Sequence, residues 1–186
     1  MGGYALLSRK KNCHARWGPD VRRDIVFSFS CLAFSFAGMW AMAYADDVLR
    51  WLDNGKAGSW PYFKAWHFRR EGASCVMQGI LSLLSDVIYM DQRSIFHPAD
   101  RLMAIALTLI ALYFELSVIV FSHMPTALRV LQAVLILIGL NSHFAAKLAI
   151  VRRQYTLYVR HHSTWHYAIV ASMVLPIHLA TFGYVR

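Results

Sequence analysis

The amino-acid sequence predicts an all-α fold, a polytopic membrane helix bundle of about five transmembrane helices with an interfacial amphipathic segment. Three observations predict it. The chain of 186 residues is 58% hydrophobic and 14% aromatic with a mean hydropathy of +0.40, far from the mixture of a soluble domain. Nearly uncharged runs recur at about the 20-residue length that crosses a hydrocarbon core. Between the runs, Trp and Tyr mix with Lys and Arg as they do at membrane interfaces. The formal net charge of +9 would suggest nucleic acid in a soluble protein. Here basic loops beside anionic headgroups account for it, so the implied partners are membrane lipids and not nucleic acid.

Residues 1–23 form a basic surface segment carrying Arg9, Lys10, Lys11, Arg16, Arg22 and Arg23, and residues 24–186 a single transmembrane helical domain. The first span is predicted at 25–45, closed by Asp46 and Asp47. The interfacial segment, 47–72, holds Trp51, Trp60, Tyr62, Phe63 and Trp66 among basic residues, the pattern of a short amphipathic helix on the membrane surface. The second span, 73–90, is the least apolar, and its Gln78, Ser82 and Asp86 recur every four residues as one polar stripe. The third span, 102–121, contains Glu115. The fourth, 127–146, follows Pro125 and contains Arg129 and His143, and the fifth, 164–183, contains Pro176 and His178, where a kink is expected. Cys13, Cys31 and Cys75 are odd in number and unpaired in spacing, which reads as free thiols. No repeat, no soluble domain and no organelle address can be read.

Five spans put the N-terminus, the second-to-third loop and the fourth-to-fifth loop on one side. That side carries twelve of the nineteen Lys and Arg residues, so the positive-inside rule makes it the cytosolic, matrix or stromal one. The same alternation brings the end of the second span and the starts of the third and fifth to one face. Asp86, Asp100, His162 and His166 should therefore share a membrane depth, with Ser82 and Ser85 just below and His143 close by. His162 and His166, four residues apart on a helix, have Cβ atoms about 5–6 Å apart, near enough to share a metal ion. The plainer reading is that both are interfacial side chains bonded to water or headgroups. A carboxylate in hydrocarbon costs several kcal/mol without a partner, so Asp86 should pair with His162 or His166, directly or through a metal, or with Arg101. Near the opposite face, Glu115, Arg129 and His178 suggest a buried ion-pair network of structural purpose. Haem held by His143 and His178 is disfavoured, because the two lie at different depths.

S-L-L-S-D at Ser82–Asp86, D-R at Asp100 and Arg101, and H-S-T-W-H at His162–His166 together resemble the CREST superfamily, which groups alkaline ceramidases with progestin and adiponectin receptors. The resemblance implies a zinc ion held by histidines, an assisting Ser and Asp, and hydrolysis of lipid amides in the enzymatic members. The sequence departs from that pattern in two respects: the family's S-x-x-x-H on the second helix has Asp86 in place of the histidine, and seven spans become five. On this resemblance Asp86, His162 and His166 are the metal ligands, Asp100 a general base or orienting group, and Ser82 or Ser85 the stabiliser of the oxyanion. Two functions stay open at this point. One is a ceramidase-like lipid amide hydrolase with an intramembrane zinc site. The other is a non-catalytic accessory or structural subunit of a large respiratory or photosynthetic membrane complex, suggested by the short chain and its aromatic surface segment.

Overall fold

The computed structural model describes residues 20, 23–53, 65–90, 94–122 and 124–183. Most of the predicted basic segment 1–23 and the middle of the interfacial segment, 54–64, lie outside them. Among the described residues the secondary structure is helical throughout. Five helices, α1 (Ile25–Asp53), α2 (Ala65–Leu83), α3 (Phe96–Phe121), α4 (Thr126–Val151) and α5 (Tyr155–Thr181), are joined by a single π-helical turn, Leu84–Ile88, at the end of α2. Three stretches are long and apolar enough to cross a membrane: Ile25–Leu52, Phe96–Val120 and Thr126–Val151. α2 and α5, predicted as spans, fall short of that apolarity because Arg69, Arg70 and Glu71 open α2 and histidines open α5.

Every helix overruns its predicted span. Hydropathy marks only the apolar slab, whereas backbone hydrogen bonding carries a helix on past it. The ends of the predicted surface segment accordingly belong to α1 and α2. The basic fourth-to-fifth linker contracts to Arg152–Gln154, where Arg153 takes a left-handed φ of 60° and reverses the chain. Local sequence sets the other starts. The Phe27 amide donates to Asp24 Oδ1 at 2.9 Å, an N-cap. Pro98 falls in the first turn of α3, where a missing N–H costs nothing.

Lipid gives no hydrophobic gain for bringing two helices together, so close packing has to hold them. α1 and α2 achieve it with glycine: a Cβ at Gly72 would lie 2.7 Å from the Gly38 carbonyl oxygen, so the backbones touch. α4 packs as closely along α5, and α1 also contacts α5. α3 rests mainly on α2 and touches α4 and α5 at few points. Two apolar cores close the ends of the bundle, one around Phe27, Val87, Ala146 and Tyr158, the other around Val48, Val118, Leu128 and Ile177. Between them, beside the loosely held α3, the interior stays open.

Candidate functional site

Helix alternation fixes what meets at the α1 N-terminal end. The Phe27 ring lies against His162, Ser30 reaches His166, and the π turn at the end of α2 faces the first turns of α5. Asp86 Oδ2 stands 3.2 Å from His162 Nε2, with 22% and 18% of the two side chains exposed. Of the partners open to Asp86, the structure selects His162, and among the described residues Arg101 makes no ion pair with Asp86. His162 Nε2 is buried and makes no aligned hydrogen bond, so the contact is electrostatic and its lone pair or proton stays uncommitted. His162 and His166 meet edge to face, with ring centroids 4.4 Å apart.

The hydrogen-bond inventory assigns the His166 tautomer. Ser30 Oγ donates its one proton to the Phe27 carbonyl at 2.7 Å, so it can only accept from His166 Nδ1, 3.3 Å away. Nδ1 carries the hydrogen and Nε2 keeps its lone pair, the form in which histidine ligates metal. On the other side Ser85 Oγ donates to Asp86 Oδ1 at 3.1 Å and lies 2.9 Å from His97 Nδ1. His97 Nε2 in turn donates to the Tyr89 carbonyl at 3.0 Å. One serine proton cannot serve both neighbours. While it goes to Asp86, His97 must donate from both nitrogens; a neutral His97 draws it away from the carboxylate. The state of His97 thus governs one of the bonds that hold Asp86.

The π turn makes this arrangement possible. Its extra residue, marked by the Tyr89 amide bonding the Leu84 carbonyl at 2.9 Å, advances the register so that Ser85 is buried toward His97 while Asp86 faces His162. Asp100, 8% exposed, accepts from Gln78 Nε2 at 2.7 Å. Ser82 is buried on the same wall. Asp86, Asp100, Ser82, Ser85, His162 and His166 all line one cavity of about 710 Å³, to which His97, His143 and Trp165 also contribute. Exposed Ile105 and Leu109 on α3 form part of the wall, so the cavity opens sideways between α3 and α4.

The zinc test is mixed. Ligands about 2.0–2.1 Å from a tetrahedral zinc lie about 3.3 Å from each other, close to the observed 3.2 Å between Asp86 and His162. Yet among the described residues no group of three or more His, Cys, Asp or Glu side chains is arranged to hold a metal ion. Asp86 and His162 stand at such a separation, and His166 does not join them in a three-donor group.

The expected network of Glu115, Arg129 and His178 does not form. Glu115 pairs with neither of the others and accepts from Ser172 Oγ at 3.1 Å on both oxygens. Arg129 folds back on the α3–α4 turn, donating to the Met124 carbonyl at 2.8 Å and to the Ser122 carbonyl. His178 Nδ1 accepts from Trp40 Nε1 at 3.1 Å. Glu115 and His178 are instead satisfied by side chains of facing helices, Ser172 on α5 and Trp40 on α1, and Arg129 by carbonyls of its own turn. His143 packs on Trp165 at 4.9 Å, at the level of the cavity, while His178 sits at the far end.

Two participants were not legible in the sequence. Ser30 is one serine among several in an apolar run, and nothing marks it. His97 had a signal, since a connection as short as 91–95 must seat the start of α3 beside the end of α2. No family model, curated protein or solved structure matches this chain.

Proposed function

We propose that this chain is a membrane-embedded hydrolase of acyl-amide lipids, working at the pocket of Asp86, His162 and His166 with zinc as its cofactor. The observation that carries the reading is the 3.2 Å approach of Asp86 to His162 on the wall of a cavity open toward lipid. Buried ionisable groups in a membrane are expensive, and these converge where a lipid can reach them. In this reading all five helices span the bilayer, since α2 and α5 pack against α1 and α4, and the Asp86 end faces the compartment favoured by the basic loops.

Asp86 Oδ2 and the two Nε2 atoms would hold the metal. Zinc supplies at such a site a bound water with a pKa near about 7. The chain's own groups do the rest. Ser30 fixes the His166 tautomer, and Ser85 holds the Asp86 carboxylate. Asp100, oriented by Gln78, takes the proton of the attacking water. Ser82 donates to the oxygen that gains charge as the amide carbonyl is attacked. Ser85 is already engaged by Asp86 and His97, which leaves Ser82 for that task. Cleavage adds one water across the C–N bond and releases a fatty acid and an amine.

Zinc content of the purified full-length protein tests the reading. About one zinc per chain is expected, lost together with amide hydrolysis when His162→Ala is combined with His166→Ala. Equal, metal-free readings in both proteins would overturn it.

A second reading, as an accessory subunit of a large membrane complex, is favoured by α3. Only 17% of its apolar window is buried, against 39% for α1 and 28% for α4, which leaves a face a neighbouring subunit can cover. Stable isolation in a megadalton assembly without zinc would favour that reading; a zinc-loaded monomer or dimer favours the enzyme.

A further inference from the structure

The polar cavity does not end at its polar wall. A second, smaller cavity of about 80 Å³ lies toward the opposite end of the bundle, lined mainly by apolar side chains such as Trp40, Val48, Phe114 and Ile177, with Glu71 and Glu115 at its wall. Cys75, Leu107, Ala111 and Met173 line both cavities, so the two adjoin across a neck made of these four side chains. From His162 to Ile177 is fifteen residues of α5, about 22 Å at 1.5 Å per residue. An extended hydrocarbon chain, with C–C bonds of about 1.5 Å advancing about 1.25 Å each, covers most of that distance with about 16 carbons and all of it with about 18 to 19.

The mouth has the opposite chemistry. Arg101, in the second turn of α3, and Lys147, in the last turns of α4, both line the large cavity, and both are exposed. α3 and α4 run antiparallel, so the two cations stand at one depth on either side of the lateral opening. Neither makes an ion pair or hydrogen bond among the described residues. The acids of the cavity are turned inward, Asp100 to Gln78 and Asp86 to Ser85 and His162. A ligand that satisfies both ends has an anionic head at the mouth and one long aliphatic chain below it.

We propose that the cavity binds a single-chain anionic acyl amide, its carboxylate or phosphate head between Arg101 and Lys147 and its chain threaded past Ala111 and Met173 into the far cavity. The hydrolase reading enters only in the choice of an amide. Such an amide, bound this way, lays its carbonyl near Asp86 and His162 rather than in the apolar extension.

Binding to the full-length protein in neutral-lipid nanodiscs tests this, with metal chelated so that no turnover occurs, by competition against a fluorescent fatty acid. N-palmitoylglycine is expected to bind about tenfold more tightly than the uncharged N-palmitoylethanolamine. Arg101→Gln with Lys147→Gln should remove that preference. Ala111→Phe, placed in the neck, should weaken N-palmitoylglycine about tenfold while leaving the short-chain N-octanoylglycine within about twofold, which also reports that the variant is folded. Met173→Trp provides a second plug with the same expected split. A preference that survives both charge removals, or plugs that weaken short and long chains equally, overturns the proposal. Those results leave the zinc measurement untouched. Discrimination of the probes by a protein that is found to carry no zinc when purified, before any chelator is added, overturns the enzyme reading alone.

Discussion

The bundle buries acids at both ends, and the two ends treat them differently. At the α1 N-terminal end, Asp86 is held by Ser85 and His162, His97 shares the same serine, and His166 stands against His162. Each group leans on another polar side chain of the same cluster. At the far end, Glu115 has a single partner, Ser172, and His178 has Trp40. Those are single hydrogen-bonded pairs between facing helices, the kind helices in lipid use to hold together. Burial separates them too: Glu115 is 2% exposed on the small far cavity, whereas Asp86 keeps 22% of its side chain open on the wall of the large one. A buried acid alone is therefore a weak sign of chemistry. Linked partners and open volume beside it make the stronger case.

The comparison breaks most readily at the two carboxylates. Asp86→Asn keeps the shape and removes the charge, and it should lower acyl-amide hydrolysis by at least about 100-fold and abolish zinc binding. Glu115→Gln, the same change at the other end, should leave both within about twofold. Equal losses, measured as kcat/KM and zinc per chain, would mean that the two layers form one system. The next effect is smaller. His97→Ala commits the Ser85 proton to Asp86 and removes the imidazole that positions the Ser85 hydroxyl, and about a tenfold fall in kcat with KM unchanged is expected. His97→Gln, which can still reach Ser85, should recover part of it, an outcome that a purely structural role for His97 would not produce. Gly72→Val offers a contrast of another kind. Its added carbons meet the Gly38 carbonyl, so it should destabilise the α1–α2 pair by about 1–3 kcal/mol in thermal unfolding, regardless of which end is probed.

Much of the near end was legible because it depends on connectivity. Alternating spans sent Asp86, Asp100, His162 and His166 to one face, and the structure gathers all four around one cavity. What escaped depends on register and on reach. An unbroken α2 gives no hint of the π turn at Leu84–Ile88 that turns Ser85 toward His97. Hydropathy could not tell Ser30 from its neighbouring serines, nor foresee that Arg129 would find carbonyls within its own turn before it found Glu115. The same limit appears in the spans. Apolar runs located five helices, but the charges that open α2 and α5 leave only three meeting the length and composition of a crossing segment.

The smallest effect tests the far end on its own terms. Ser172→Ala removes the hydroxyl that lies 3.1 Å from both Glu115 oxygens and 2.8 Å from the Ile169 carbonyl, acceptors that share its one hydrogen. A carboxyl group 2% exposed has no water to replace the lost donor. Removing one partner of a buried pair costs more than the bond itself is worth, though hydrogen bonds between membrane helices average only about 0.6 kcal/mol. The expected cost is thus about 1–2 kcal/mol in thermal unfolding in detergent, with hydrolysis of the remaining folded protein unchanged. Combining Ser172→Ala with Glu115→Leu should restore most of that stability, because a pair replaced by apolar groups leaves nothing unsatisfied. If the double change instead abolished activity in folded protein, Glu115 would have to act on the ligand in the adjoining cavity. The far end would then belong to the site and not only to the scaffold.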